Sequence, residues 1–139
     1  MNNQTNPSII FLRVTDSNTK IRRIVSTIQQ HFLSGDSLII FVPNKQAAEY
    51  IDKLLWRSPD DSFLPHIITE ESCTDRVVIT QATTNINNAK VAINLTPRTC
   101  AGNGSFEKIY ELWDQTDGMK AQQSKVKMQQ YKDQGLCVG

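Results

Sequence analysis

Apolar residues fall along this chain in two alternating patterns, short continuous runs and helical stripes. After a polar lead, Ser8 to Val14 (SIIFLRV) reads as a buried strand. Ile21, Ile24, Val25, Ile28 and Phe32 then recur at helical spacing, and Gly35 marks the end of that helix. Asp36 to Val42 (DSLIIFV) is a near-continuous apolar run, as a parallel strand covered on both faces requires. Pro43 and Asn44 break it, and from Lys45 a second helix carries Ala47, Ile51, Leu54 and Leu55 on one stripe. Arg57 to Asp75 reads as a long connection with two prolines and several carboxylates. Arg76 to Thr80 and Val91 to Leu95 supply two further strands, joined by a Thr/Asn-rich stretch too polar for a long helix. Phe106, Ile109, Tyr110 and Trp113, at i, i+3, i+4 and i+7, predict a third helix with its apolar side inward. The last segment, roughly Asp117 to Gln134, holds good helix formers but little apolar content.

Strands alternating with helices at these lengths argue for βαβ units, hence an α/β fold with a mainly parallel sheet flanked by helices. No repeat or interdomain linker interrupts the pattern, so residues 1–139 are expected to form one domain behind a polar, flexible segment 1–7. A chain of 139 residues can bury roughly two-thirds of its unfolded surface, which removes the need for a disulfide or metal staple. Cys73, Cys100 and Cys137 are odd in number and widely spaced, and read as buried or idle thiols of a reducing compartment. The polar start lacks the pattern of a signal peptide, and no apolar run approaches the roughly 20 residues of a membrane span. The expected location is therefore the cytoplasm, away from membranes. Net charge is +1, so any nucleic-acid contact is expected to be local or indirect.

A parallel sheet invites a nucleotide, but the turn after the first strand, Thr15-Asp16-Ser17-Asn18, has no glycine to let a pyrophosphate approach. Gly102-Asn103-Gly104 is a clustered glycine pair in a late loop and reads as a flexible turn. His31 and His66 are the histidines; the first falls in a helix as a surface or half-buried residue, the second follows Pro65 in a loop. Ser62 and the carboxylates Asp60 and Asp61 near His66 do not make a triad, because such residues must be brought together from separate elements. No cofactor, metal or catalytic residue is expected.

The informative stretch is Leu55 to His66 (LWRSPDDSFLPH). A helix ends at Trp56, Pro59 stops its continuation, and Trp56 and Phe63 flank a charged turn. Two arrangements are open on these residues alone: both rings fold back into the core, or they form an exposed pair that anchors a protein partner.

Lys45-Gln46-Ala47, then Asp52-Lys53-Leu54-Leu55-Trp56, Pro59 and Ser62-Phe63-Leu64-Pro65-His66 closely resemble the chi subunit family of bacterial DNA polymerase III. The resemblance extends to the opening strand and helix, to a late helix ending in Trp113-Asp114, and to Tyr131-Lys132-Asp133-Gln134-Gly135. It implies a Rossmann-like domain without an active site, an accessory subunit on the clamp-loader side of the replicative polymerase. Such subunits bind the acidic C-terminal tail of the single-stranded-DNA-binding protein, SSB, and so meet DNA indirectly. A separate surface binds the psi subunit and in some bacteria a repair helicase. By the resemblance, Trp56 and Phe63 match the aromatics of that second surface, with Leu64, Pro65 and His66 shaping the loop.

The tail site is implied to lie on the last helix, where a basic residue meets carboxylates beside an apolar pocket for a terminal phenylalanine. Anchoring on Tyr131-Lys132 and Gly135 puts that basic residue at Lys125, with Lys127 also a candidate through a shift in register. Lys125, Met128, Gln129 and Lys132 share one helical face. This helix carries lysines and Met128 where the family has arginine and an aromatic residue, exchanging a planar fork for a point charge. Two other function classes compete with this reading: direct nucleic-acid binding by the lysine helix, and a small nucleotide-binding enzyme. The first lacks an aromatic platform for bases beside the lysines, and the second lacks a glycine-rich loop.

Overall fold

A computed structural model describes residues 6–57 and 64–139. Its elements run β1 (Ser8–Val14), α1 (Ser17–Leu33), β2 (Leu38–Phe41), α2 (Lys45–Trp56), β3 (Ile67–Ile68), β4 (Val77–Thr80), β5 (Val91–Asn94), β6 (Lys108–Asp114) and α3 (Gly118–Asp133). A 3-10 turn, Ala101–Asn103, lies before β6. The six described strands form one sheet in the order β1-β6-β5-β2-β4-β3, and every described pairing is parallel.

The sequence dictates much of this. β2, β4 and β5 bury four consecutive residues each, LIIF, VVIT and VAIN, because both faces of the sheet are covered. α1 and α2 cover one face. Ile24, Ile28, Ala48, Ile51 and Leu55 pack there on Leu38, Ile40 and their strand neighbours. α3 and the connections around residues 81–107 cover the other, where Tyr131, Ala89, Cys100 and Phe106 meet Ile39, Phe41 and Ile109. Each helix begins on an acidic or amide cap: Asp16, Asn44 and Asp117 accept from the amides of Thr19, Ala47 and Lys120 at 2.8 Å. α1 and α3 are each followed by a glycine in the left-handed region, Gly35 at φ 87° and Gly135 at φ 79°.

One predicted element is of the wrong type. Phe106, Ile109, Tyr110 and Trp113 do not lie on a helix, and Trp113-Asp114 does not end one. Lys108–Asp114 is β6, paired between β1 and β5. Ile109 and Trp113 also fit a two-residue repeat, but its middle position is Glu111, whose charge hides the pattern. The carboxylate is tolerated there because side chains from α3 and β5 satisfy it. The long connection after α2 contains an unpredicted strand, β3, too short to leave a pattern. His31 is buried, with its ring nitrogens on Asp36 (2.8 Å) and the Tyr110 hydroxyl (2.7 Å).

The Asn-rich stretch before β5 is held by its own side chains. Asn85 bonds both the amide and the carbonyl of Ala89, and Asn87 donates to the carbonyls of Leu38 and Asp75.

Candidate functional site

α2 ends at Trp56, a large exposed aromatic side chain. It is 58% exposed. Its ring stands 4.8 Å, centroid to centroid, from the imidazole of His66. That imidazole is the clamp of the loop: Nδ1 lies 2.8 Å from the Leu64 carbonyl, and Nε2 lies 2.8 Å from Asp52 on α2. The ring thereby ties the loop at Leu64 to the side of α2. Leu64 inserts into the core beneath, while Pro65 and the two isoleucines of β3 remain exposed. Phe63 lies outside the described residues. Replacing Asp52 by alanine strands the buried His66 ring, at an expected cost of about 1–3 kcal/mol. Amide exchange at residues 64–68 should rise in that variant; unchanged protection would mean the clamp does not hold the loop.

The predicted cationic helix is α3, but its residues divide between two faces. Lys125, Gln129 and Lys132 are exposed and Met128 is half-buried, so these four share an outward surface. Gln129 donates to Asp133 at 2.9 Å. Lys127 points inward with Ser124 and Tyr131. Its ammonium donates to Glu111 Oε1 at 2.7 Å, while the Tyr131 hydroxyl and the Asn94 amide donate to Oε2. Burial pushes the Glu111 carboxyl above its ordinary range, against the pull of Lys127, Tyr131 and Asn94. Burial, then the Glu111 charge, raises the neighbouring Cys100 thiol to about 12. Lys127 therefore stands within a buried ion pair at the sheet, separate from the Lys125 face.

A third feature lies at the carboxyl ends of the strands. After β2 the chain leaves to the α2 side; after the adjacent β5 it leaves to the α3 side. Three cavities open around this division, and all three touch Pro43. One of about 380 Å³ is lined by Lys20, Lys120 and Lys127 together with Leu95 and Leu112. A second of about 500 Å³ reaches Arg98 and Cys100. The third, about 300 Å³, is an apolar notch between α1 and α2 bounded by Ile21, Tyr50 and Leu95. Lys20 is held by Asp114 at 3.0 Å. Burial opposes ionisation of Asp114, but its bonds to Thr116 and the Lys20 charge outweigh this and lower its pKa.

Lys20, Tyr50, Lys120 and Glu111 were not singled out from the sequence. Only Glu111 left a signal there, as a lone charge inside the apolar run of residues 109–113. Among the described residues, no cluster of His, Cys, Asp and Glu could hold a metal ion, and no helix is long and apolar enough to cross a membrane.

The α/β architecture and the exposed Trp56 beside the His66 loop can be set against known proteins. No curated protein matches the chain. The family model described as DNA polymerase III chi subunit, HolC, matches residues 7–138. That match spans every described strand and helix, and the chain belongs to the DNA polymerase III chi subunit family.

Proposed function

We propose that this protein is a non-catalytic, cytoplasmic accessory subunit of the polymerase III holoenzyme that works as a two-sided adaptor. One side, on α3, takes the acidic C-terminal tail of SSB and through it associates with DNA. The other, Trp56 with Phe63 and the Leu64-Pro65-His66 loop, takes the psi subunit or a helicase. Residues 1–139 act as one domain in this reading. The family membership sets the replisome context. The observation that carries the reading is the placement of lysines on α3. Lys120, Lys125 and Lys132 stand exposed, and none makes a side-chain ion pair among the described residues. A run of carboxylates on an incoming peptide meets uncommitted cations there, with Met128 and Gln129 between them and Lys127 behind.

Titration with a peptide of the SSB tail tests the first side. Micromolar binding is expected, weakening as salt rises, because charge pairing with exposed lysines is screened. The same peptide without its final phenylalanine should bind several-fold more weakly. Equal binding by both peptides would contradict an apolar subsite.

A further inference from the structure

The carboxyl ends of the strands carry a repeated device that the adaptor reading does not use. β4, β5 and β6 end on Thr80, Asn94 and Asp114, and all three residues are buried. Each accepts a hydrogen bond from the amide two residues on: Ala82 to Thr80 at 3.0 Å, Thr96 to Asn94 at 3.1 Å and Thr116 to Asp114 at 3.0 Å. Asn94 also donates to the carbonyl of Arg98, which fixes the rest of its loop. Three loops are thereby held in place around the cavities that meet at Pro43. We infer that this preformed cleft binds a small phosphate monoester of nucleoside-monophosphate size, with its phosphate on Arg98 beside the start of α2. The site goes beyond the adaptor reading and does not depend on it.

Position comes first. In an open α/β sheet, ligands sit outside the carboxyl ends of the strands, where the chain leaves two adjacent strands to opposite faces. β2 and β5 are such a pair here. The cavity of about 500 Å³ at this point is lined by three separate stretches, Val42-Pro43, Gln81-Ala82-Thr83 and Thr96 to Cys100. That volume falls within the roughly 300–1,000 Å³ of small-molecule sites. The turn after β1 has no glycine, so no pyrophosphate is cradled there. A single phosphate at the β2–α2 turn makes no such demand.

Charge and donor geometry set the class. Arg98 is exposed, and its guanidinium makes no ion pair among the described residues. The carboxylates Asp114 and Glu111 on β6 are already committed, to Lys20 and Lys127. Three helices begin at this edge, and the first-turn amides of a helix have no intrahelical partner. α1 and α3 begin on carboxylates, Asp16 and Asp117, which occupy the positive ends of their dipoles. α2 begins on the neutral Asn44, next to Pro43 of the cavity wall. Its start is therefore the one of these three left open to an anion. Thr83 and Thr99 add hydroxyls from the loops after β4 and β5. A planar carboxylate is satisfied by one fork of donors. Donors arriving from three loops suit the tetrahedral oxygens of a phosphate, and Val42, Ala82 and Pro97 leave an apolar wall for the organic group.

The test is calorimetric titration of the full chain with adenosine monophosphate, glycerol phosphate, inorganic phosphate, adenosine and succinate. The two monoesters should bind, inorganic phosphate should bind several-fold more weakly, and adenosine and succinate should give no measurable heat. Arg98→Glu should weaken the monoesters about tenfold or more, since a charge pair becomes a repulsion. Arg98→Lys keeps the charge and should recover part of that loss. Thr83→Trp, on the rim, should fill the cavity mouth and weaken the monoesters as much. Both residues are exposed, so the variants should fold as the parent does, which thermal melting checks. Succinate or adenosine binding as tightly as adenosine monophosphate would overturn the phosphate assignment. No binding of either monoester by the parent, or binding unchanged in both Arg98→Glu and Thr83→Trp, would remove the cleft as the site.

Discussion

Lys127→Met should destabilise this protein by about 3–5 kcal/mol at neutral pH, the largest loss expected from any single charged residue described. Glu111 sits in the middle of β6 with its side chain wholly buried, and Lys127 supplies the only opposite charge bonded to it among the described residues. Without the ammonium, Tyr131 and Asn94 still donate to the carboxylate, but no charge offsets its desolvation. The penalty has a defined pH dependence. Burial already raises the Glu111 pKa in the folded state, and removing Lys127 raises it further. A folded-state pKa above the unfolded value means the folded protein binds the extra proton. Stability is then retained below the ordinary carboxylate range and lost as pH rises through the folded pKa. Urea unfolding should therefore find the variant's deficit smaller at about pH 5 than at about pH 8. Adding Glu111→Leu to Lys127→Met should recover much of the loss, since two apolar side chains leave no stranded charge. A Lys127→Met variant as stable as the parent at both pH values would remove the buried pair from the account.

Trp56→Ala is expected to weaken capture of the psi subunit about thirtyfold or more while costing about 1 kcal/mol or less of stability. The ring is more exposed than buried and lies tilted against His66, so its loss opens no cavity in the core. In an interface, however, a desolvated tryptophan supplies about 2 kcal/mol or more, roughly thirtyfold in affinity. Phe63→Ala provides the parallel test of its proposed partner. Co-purification and calorimetry with psi or the helicase measure the loss, and SSB-tail affinity should stay unchanged in both variants. Retained binding of psi by Trp56→Ala would move the second surface elsewhere.

Legibility in the sequence followed local physics. β1, β2, β4 and β5 announced themselves as apolar runs, and α1 and α2 as apolar stripes, because burial there is set by neighbouring residues of one character. β6 was misread because Glu111 breaks its pattern, and the partners that make it acceptable come from α3 and β5. The inward face of α3 was illegible for the same reason. Its buried residues are Ser124, Lys127 and Tyr131, and two of these are polar or charged, so hydrophobicity could not say which lysine faced the sheet. Trp56 was singled out from the sequence with core and surface both open, and the structure leaves it 58% exposed. The cleft could not be seen at all, since Lys20, Pro43, Leu95 and Lys120 come from four separate places in the chain.

The adaptor reading stands or falls on a single comparison, sedimentation of this protein with intact SSB and with SSB lacking its acidic tail. Co-sedimentation with intact SSB at low salt, lost with the truncated protein and reduced at high salt, is the predicted result. Equal association with both forms, or association with neither, would contradict it.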